Sequence, residues 1–586
     1  LIETGANQAY IFDTNRLRHV VGGSYLVREV GTGWVPEIAD ACGAEAVLAI
    51  SGKALLLAGD PATGRAVIAR VSERALREAP GLEVTGVVGP GFDPDVDWLP
   101  GGGDDEPAAA GQGPMNHAAA LVRTYELLEA ARDARPSPLL RDPMLPWFEV
   151  CRDSGLPAAG IEEHADGGPA AAAVLAKSRI RHRAGHRVRG LLADLPDVVP
   201  ADLDDLRHDG WIAVIHADGN GVGRMFVDFP ARALRAARAM GDSGGLSLRR
   251  HVELLAAFTD QLDVATEAAL GIAVRTVAAG QGIAGTILPV VVGGDDVTVV
   301  CHARLALGLV RALVLAFEEQ TAAQPAVRSI AGSGLTAAAG IAYVKPHHPF
   351  SAAYGLAEEL TASAKQAARA GGREVSAADL HVAFESTLAD LASLRRRMAV
   401  GGLARHGGPY VITAADSPSA GARDIRQLDA AMETVSALSS SMAHDLRDGL
   451  ARGPVEYARR IRRAAQSADL PDGVRPADIE RLAPDVVAGA DGTGGADGAD
   501  RADGPADGRI VRLLDALLLE SIARVSGPAG PGPGSAIDGR ELATAAGGSA
   551  AVAAGLGTAS GSAIGGPGAA AAGSAAIDDG DTGEPG

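Results

Sequence analysis

The segment ILPVVVGGDDVTVV constrains the fold more than any other part of the chain. Two apolar runs, 287–292 and 297–300, flank Gly293–Gly294–Asp295–Asp296. Short apolar runs bounded by turn residues read as buried strands, and a glycine-bearing link between two of them reads as a β-hairpin. The chain therefore commits to a sheet here, with two adjacent carboxylates at a hairpin tip. Like charges at that range disfavour joint ionisation unless a cation sits with them, and a divalent metal ion resolves the cost. The glycines let a triphosphate come close to the backbone.

The surroundings extend this reading. WIAVIHA (211–217) is a buried-strand run ending at Asp218, and 246–270 has the pattern of a long amphipathic helix. After the hairpin come a helix at 303–320, a strand at 335–344, a helix at 351–370 and a last strand near 380–384. In βαββαβ order the first strand neighbours the hairpin, so Asp218, Asp295 and Asp296 can converge on a pair of metal ions. Gly219–Asn220–Gly221–Val222–Gly223 follows, a loop whose N–H groups suit phosphates. The chain has 4 lysines against 49 arginines, and one of the four, Lys365, lies on the helix after the 335–344 strand. That position suits a point charge aimed at a triphosphate.

An earlier segment repeats the plan. AYIF reads as a strand, 15–30 as a helix, and AVLAI and ALLLA as a hairpin around Ser51–Gly52–Lys53. A helix at 65–78 and a strand at 82–88 complete it. The expected class is α+β: two ferredoxin-like (βαββαβ) palm domains with helical inserts, a C-terminal helical region and a disordered Gly/Ala/Asp-rich tail. The expected boundaries are 1–114 for a degenerate first palm, 115–205 for a mostly helical linker, 206–385 for a catalytic second palm, 386–485 for the helical region and 486–586 for the tail. Within that tail, 510–525 reads as one short amphipathic helix, while the rest is too poor in large apolar groups to offset its ordering entropy.

The formal charge is −20 for 586 residues, of which the stretch from Asp491 onward, with 13 acids and 5 arginines, carries −8. An acidic body argues against nonspecific DNA binding by phosphate neutralisation. No apolar run approaches the length of a membrane span and no signal peptide opens the sequence, so no membrane partner and a cytoplasmic location are expected. Cys42, Cys151 and Cys301 are too scattered for a disulfide framework or a zinc quartet.

VIHADGNGVGRMF, VVVGGDDVTVVC and AAGIAYVKPHHPFSAAYGLAEELTASAK, in that order, resemble the catalytic palm of the large subunit of type III CRISPR effector complexes, the Cmr/Csm cyclase subunit. The resemblance covers about 210–385, and the N-terminal unit resembles that family's first palm. It implies two facing palms that make cyclic oligoadenylate from ATP. It also implies Mg²⁺ or Mn²⁺ on Asp218, Asp295 and Asp296, nucleotide contacts from Gly293 and Gly294, and a phosphate contact from Lys365. The first hairpin carries Ser51–Gly52–Lys53 where the second has its carboxylates, so the first palm is expected to be catalytically silent and to help bind nucleotide through Ser51 and Gly52. Asp13, taken as the end of the first strand, survives as a lone acid. Of the family's cysteine-rich zinc module only Cys151 remains, so no zinc is expected. No HD nuclease domain precedes the first palm in this sequence, so DNA cleavage is not expected.

The leading reading is a metal-dependent nucleotidyltransferase acting on ATP or other NTPs, with Gly219, Asn220 and Gly221 also binding nucleotide. Partners implied are NTP substrates, other CRISPR or defence-complex subunits, and guide or target RNA. Two readings stay open beside it. A diguanylate cyclase shares the palm, but its GG[DE]EF signature fits Asp296–Val297 poorly. A non-catalytic nucleotide- or RNA-binding scaffold would use the arginine- and histidine-rich stretch 177–189, which reads otherwise as a solvated face. His347–His348 reads as a turn, and His444–Asp445 resembles a phosphohydrolase doublet without its partners.

Overall fold

The computed structural model describes residues 1–100, 115–135, 144–164, 167–202, 204–207, 210–279, 284–369, 374–384, 390–399, 406–414, 417, 423–468, 470–482 and 513–525. The first unit runs β1 (Ile2–Gly5), α1 (Asn7–Ile11), α2 (Leu17–Glu29), α3 (Val35–Cys42), β2 (Glu45–Ile50), β3 (Lys53–Leu57), α4 (Pro61–Glu78) and β4 (Glu83–Gly86). Its four strands lie in the order β2-β3-β1-β4, with β1 antiparallel to both neighbours. The expected strand AYIF is instead helical in α1, and the strand is the four-residue IETG before it. A short apolar run does not distinguish strand from helix by periodicity. Here Tyr10, Ile11 and Phe12 are buried as a helical turn and its end.

Asp13 consequently ends no strand. It lies past α1 and pairs at 2.6 Å with Lys177 of α6 (Ala172–Leu191), which follows α5 (His117–Asp133) and the two-residue strands β5 (Gly160–Ile161) and β6 (Pro169–Ala170). The Lys177 side chain is fully buried, bonds the Tyr10 carbonyl and sits 4.2 Å from the Tyr10 ring centre. Burial lowers the proton affinity of Lys177 while the Asp13 charge opposes that, and burial raises that of Asp13. Removing one member of such a pair strands the other charge. Lys177→Ala is therefore expected to destabilise the first unit by about 3–5 kcal/mol in urea unfolding, and a loss below about 1 kcal/mol would contradict this account.

The second unit contains β7 (Ile212–Gly219), α7 (Val222–Val227), α8 (Phe229–Ala239), α9 (Leu248–Ala278), β8 (Ile287–Gly293), β9 (Asp296–His302), α10 (Ala303–Ala323), α11 (Pro325–Ala331), β10 (Ala337–Val344), α12 (Phe350–Arg369) and β11 (Ser376–Val382). After α13 (Leu391–Met398), β12 (Tyr410–Ile412) extends the sheet to the order β12-β11-β10-β7-β9-β8. All eight residues of β10 and seven of the eight of β7 are buried, as expected of strands covered on both faces. The covering comes from α10 against β7 and β10, and from α12 against β7, β10 and β11. Pro289 is tolerated because β8 is an edge strand with an irregular register at that point.

The rest of the described chain is helical: α14 (Ile425–Ala437), α15 (Ser440–Arg452), α16 (Pro454–Ala465), α17 (Pro476–Glu480) and a helix at Leu513–Val525. The last falls where the sequence predicts a helix inside the tail, and it packs against α14 and α10 through buried Leu513, Ala516, Leu519 and Ile522. Its Asp515 is buried and accepts hydrogen bonds from the Gly407 amide at 2.8 Å and the Tyr410 hydroxyl at 2.7 Å. The remaining tail, including the expectation of disorder there, lies outside the described residues. Among the described residues no helix is long and apolar enough to cross a membrane.

Candidate active site

The C-terminal end of β7 brings Asp218 opposite Asp296 in the antiparallel register with β9, and the β8–β9 turn places Asp295 beside both. Gly219 donates its amide to the Asp295 carbonyl at 3.1 Å. A side chain at Gly219 would begin 2.8 Å from the Asp295 Cβ, so this approach requires glycine. The Asp295 carboxyl is partly buried and hydrogen-bonded to that of Asp218. Burial first, and then the Asp218 charge, push its pKa up to about 8. Asp295 thus holds a proton at neutral pH, which lets two carboxyls share so small a space.

The neighbouring carboxylates are met by two basic side chains. Lys365 on α12 puts Nζ 2.5 Å from Asp218 Oδ2, and His216 on β7 puts Nδ1 3.3 Å from Asp296 Oδ1. Burial disfavours the charged His216 imidazole, but its hydrogen bond to Asp296 and the charge there outweigh this and raise its pKa. Tyr354 packs against the His216 ring, and Phe12 of the first unit stacks on Tyr354 with ring centres 4.0 Å apart. Gln8 of α1 donates to Glu358 and, at 3.4 Å, contacts the Tyr354 hydroxyl. The first unit therefore forms part of the wall.

The three aspartates, Lys365, His216, Gln8 and Glu358 line a cleft of 710 Å³ that also takes in Gly221, Gly223, Arg224, Arg232, Arg369 and Glu374. Its size falls in the range of small-molecule sites. Of the residues singled out in the sequence, Asp218, Asp295, Asp296, Lys365, Gly219 and Gly221 line it. Asn220 does not. It is 2% exposed, its amide nitrogen turned inward to Thr336 and the Val375 carbonyl and its backbone N–H given to the Thr336 carbonyl. Two of the loop amides expected to cradle phosphate, those of Gly219 and Asn220, are thus already committed. Gly293, Gly294, Ser51 and Gly52 are also absent from the lining, although Ser51 lies against Gly293, so the two hairpin turns meet. The other candidates lie elsewhere: Asp445 is paired with Arg460 and Arg463, and His347 and His348 stand outside the cleft. Gln8 had no signal in the sequence, because only tertiary packing brings it here, whereas His216, two residues before Asp218 on β7, and Glu358, two turns before Lys365 on α12, could have been found from strand and helix periodicity.

Three carboxylates in one cleft form a hard-oxygen donor set suited to Mg²⁺ or Mn²⁺. Among the described residues no three ligating side chains form a ready-made cage. The Asp295 proton and the Lys365 ammonium already offset the charge here, so a metal would replace the proton on Asp295 and the ammonium on Asp218.

A sheet whose central strand and adjoining hairpin end in converging carboxylates, covered by helices, is consistent with a palm domain. Residues 211–374 match the family model of the Cas10/Cmr2 second palm domain. Among solved structures, the chain is similar to the Csm1–Csm4 cassette in complex with cA4 at 13% identity, covering 90% of this chain and 69% of that one with a TM-score of 0.42. The cassette in complex with AMPPNP matches at 13% identity over 64% of this chain with a TM-score of 0.35, and the chain spans only 53% of its length. Csm1 from T. onnurineus matches at 13% identity over 82% of this chain and 66% of that one, with a TM-score of 0.38. No curated protein matches.

Proposed function

We propose that the chain is a metal-dependent nucleotidyltransferase that converts ATP or other NTPs into cyclic oligonucleotide messengers in CRISPR-type antiviral defence. The observation that carries this reading is the convergence of Asp218, Asp295 and Asp296 at one end of the β7–β9–β8 ladder. The 3′-hydroxyl of one nucleotide attacks the α-phosphate of a second and gives its proton to solvent, the new O–P bond forming as the bond from that phosphorus to the bridging oxygen breaks and pyrophosphate leaves. Bound Mg²⁺ or Mn²⁺ would supply activation of that hydroxyl and charge neutralisation on the phosphates. Asp295, once deprotonated, would hold that ion together with Asp218 and Asp296. Lys365 would offer its ammonium to the phosphates, and Gly221 would let them approach. Gly219, Asn220, Gly293 and Gly294 shape the loop and turn behind the ligands, while Ser51 and Gly52 belong to a silent first palm that completes a second nucleotide site. We read the strand orders of both sheets as two ferredoxin-like palms at 1–114 and 206–385, joined by a linker at 115–205 and followed by a helical region at 386–485. Guide or target RNA and other complex subunits are the partners this reading implies.

The test is incubation of purified protein with each radiolabelled NTP and Mn²⁺ or Mg²⁺, with and without RNA, the products being resolved by mass. A cyclic product names the base and ring size. No product together with no metal-dependent ATP binding by calorimetry would overturn the reading.

One observation favours the scaffold reading. Arg179, His182, Arg183 and His186 form one exposed face of α6 at helical spacing. RNA binding lost on replacing Arg179 and Arg183, in a protein that binds no metal–ATP, would select it.

A further inference from the structure

The turn that carries Asp295 is held from behind. Gly294 sits at φ +61, in the left-handed region, at the tip of a hairpin between β8 and β9. The polar groups of a hairpin tip ordinarily face water. Here both backbone groups of Gly294 are taken by one helix: its N–H donates to Asp263 Oδ1, and its carbonyl accepts from the Thr266 hydroxyl at 2.5 Å. Asp263 and Thr266 lie three residues apart on α9, hence on one face. Thr266 is fully buried, and its single hydroxyl proton is shared between the Gly294 carbonyl and the Leu262 carbonyl, 2.9 Å away, so its rotamer is fixed. Neither residue lines the cleft.

We propose that Asp263 and Thr266 are positioning residues that clamp the Gly294 peptide and thereby hold Asp295 against Asp218. The clamp is braced from the first unit and the linker. Arg28 on α2 and Arg187 on α6 bring positive charge to Asp263, and Arg187 pairs at 3.0 Å with Glu267, one helical turn further along α9. The acidic turn is thus fixed by a helix whose own acidic face is countered by the rest of the molecule. The clamp takes its functional meaning from the proposed role of Asp295, but its geometry can be tested separately.

The experiment is hydrogen–deuterium exchange of the full chain, followed at the Gly294 amide, for the wild type and for Asp263→Ala, Asp263→Asn and Thr266→Val. These are measured beside Mn²⁺–ATP affinity and steady-state turnover. Loss of one buried hydrogen bond is expected to raise exchange at Gly294 about tenfold in Asp263→Ala, and Asp263→Asn, whose amide oxygen still accepts, restores protection. Turnover should follow the same order. Asp263→Ala should lower kcat on the order of 10²-fold by misplacing Asp295, with a smaller change in KM, and Asp263→Asn should recover most of it. Thr266→Val should weaken protection even if Asp263→Ala does not fold. Unchanged exchange in both Asp263→Ala and Thr266→Val overturns the clamp, and so does an Asp263→Asn variant as impaired as the alanine, which would assign the effect to charge pairing with Arg28 and Arg187. A wild type that neither binds Mn²⁺–ATP nor turns over refutes the nucleotidyltransferase reading, while the exchange data still decide the clamp.

Discussion

Replacing Asp295 and Asp296 together by alanine is expected to lower product formation by at least about 10³-fold, or roughly 4 kcal/mol of transition-state stabilisation. The fold should survive. The two side chains sit at a turn and a strand end, while the hairpin is held by apolar residues on β8 and β9 and by the contacts of Gly294 with α9. The variant leaves Asp218, paired with Lys365, as the one carboxylate of the three that converge at the hairpin. Metal-dependent ATP affinity should fall with turnover. A folded double variant that still makes product would mean that the chemistry lies elsewhere.

The second large effect is on stability, and its sign follows from the Asp295 proton. An aspartate usually titrates near 3.8, and this one is pushed up to about 8. Between those values the folded protein holds a proton that the unfolded chain has lost. Stability therefore declines as pH rises from about 4 towards 8 and levels off beyond, by an amount on the order of 5 kcal/mol at its limit. Asparagine carries no charge and can still donate to Asp218. Without metal, Asp295→Asn should therefore melt several degrees above the wild type at pH 8, with a smaller gap at pH 5. Adding Mn²⁺ should reverse the order, since only the wild type can exchange its proton for the ion. Calorimetric melts across that pH range check both halves, and a gap independent of pH would rule out a protonated Asp295.

What was legible in the sequence was local pattern. The apolar runs around residues 293–296, the strand ending at Asp218 and the helices after them stand within a few residues of where alternation and turn residues put them. The strand at the N-terminus was not legible, because IETG has only one large apolar residue while the adjacent AYIF is almost wholly apolar. That displacement removed Asp13 from the end of a strand and assigned it to Lys177. In the site, residues whose contribution is set by sheet register could be found in advance. Those that arrive from another unit, such as Gln8 and Phe12, or from the back of a helix, such as Asp263, could not, since nothing in their neighbours along the chain distinguishes them. The loop after Asp218 shows the complementary failure. Its glycines and asparagine suggested phosphate contacts, but Asn220 is spent on joining the loop to Thr336 and the start of β11.

The docked helix Leu513–Val525 makes the edge of the second sheet depend on a segment about a hundred residues further along the chain. Its Asp515 accepts from both the Gly407 amide and the Tyr410 hydroxyl beside β12, and its apolar face covers α10 and α14. A chain lacking that helix gives up both buried hydrogen bonds and bares those two helices to water, so an element the sheet topology does not include still guards its outermost strand.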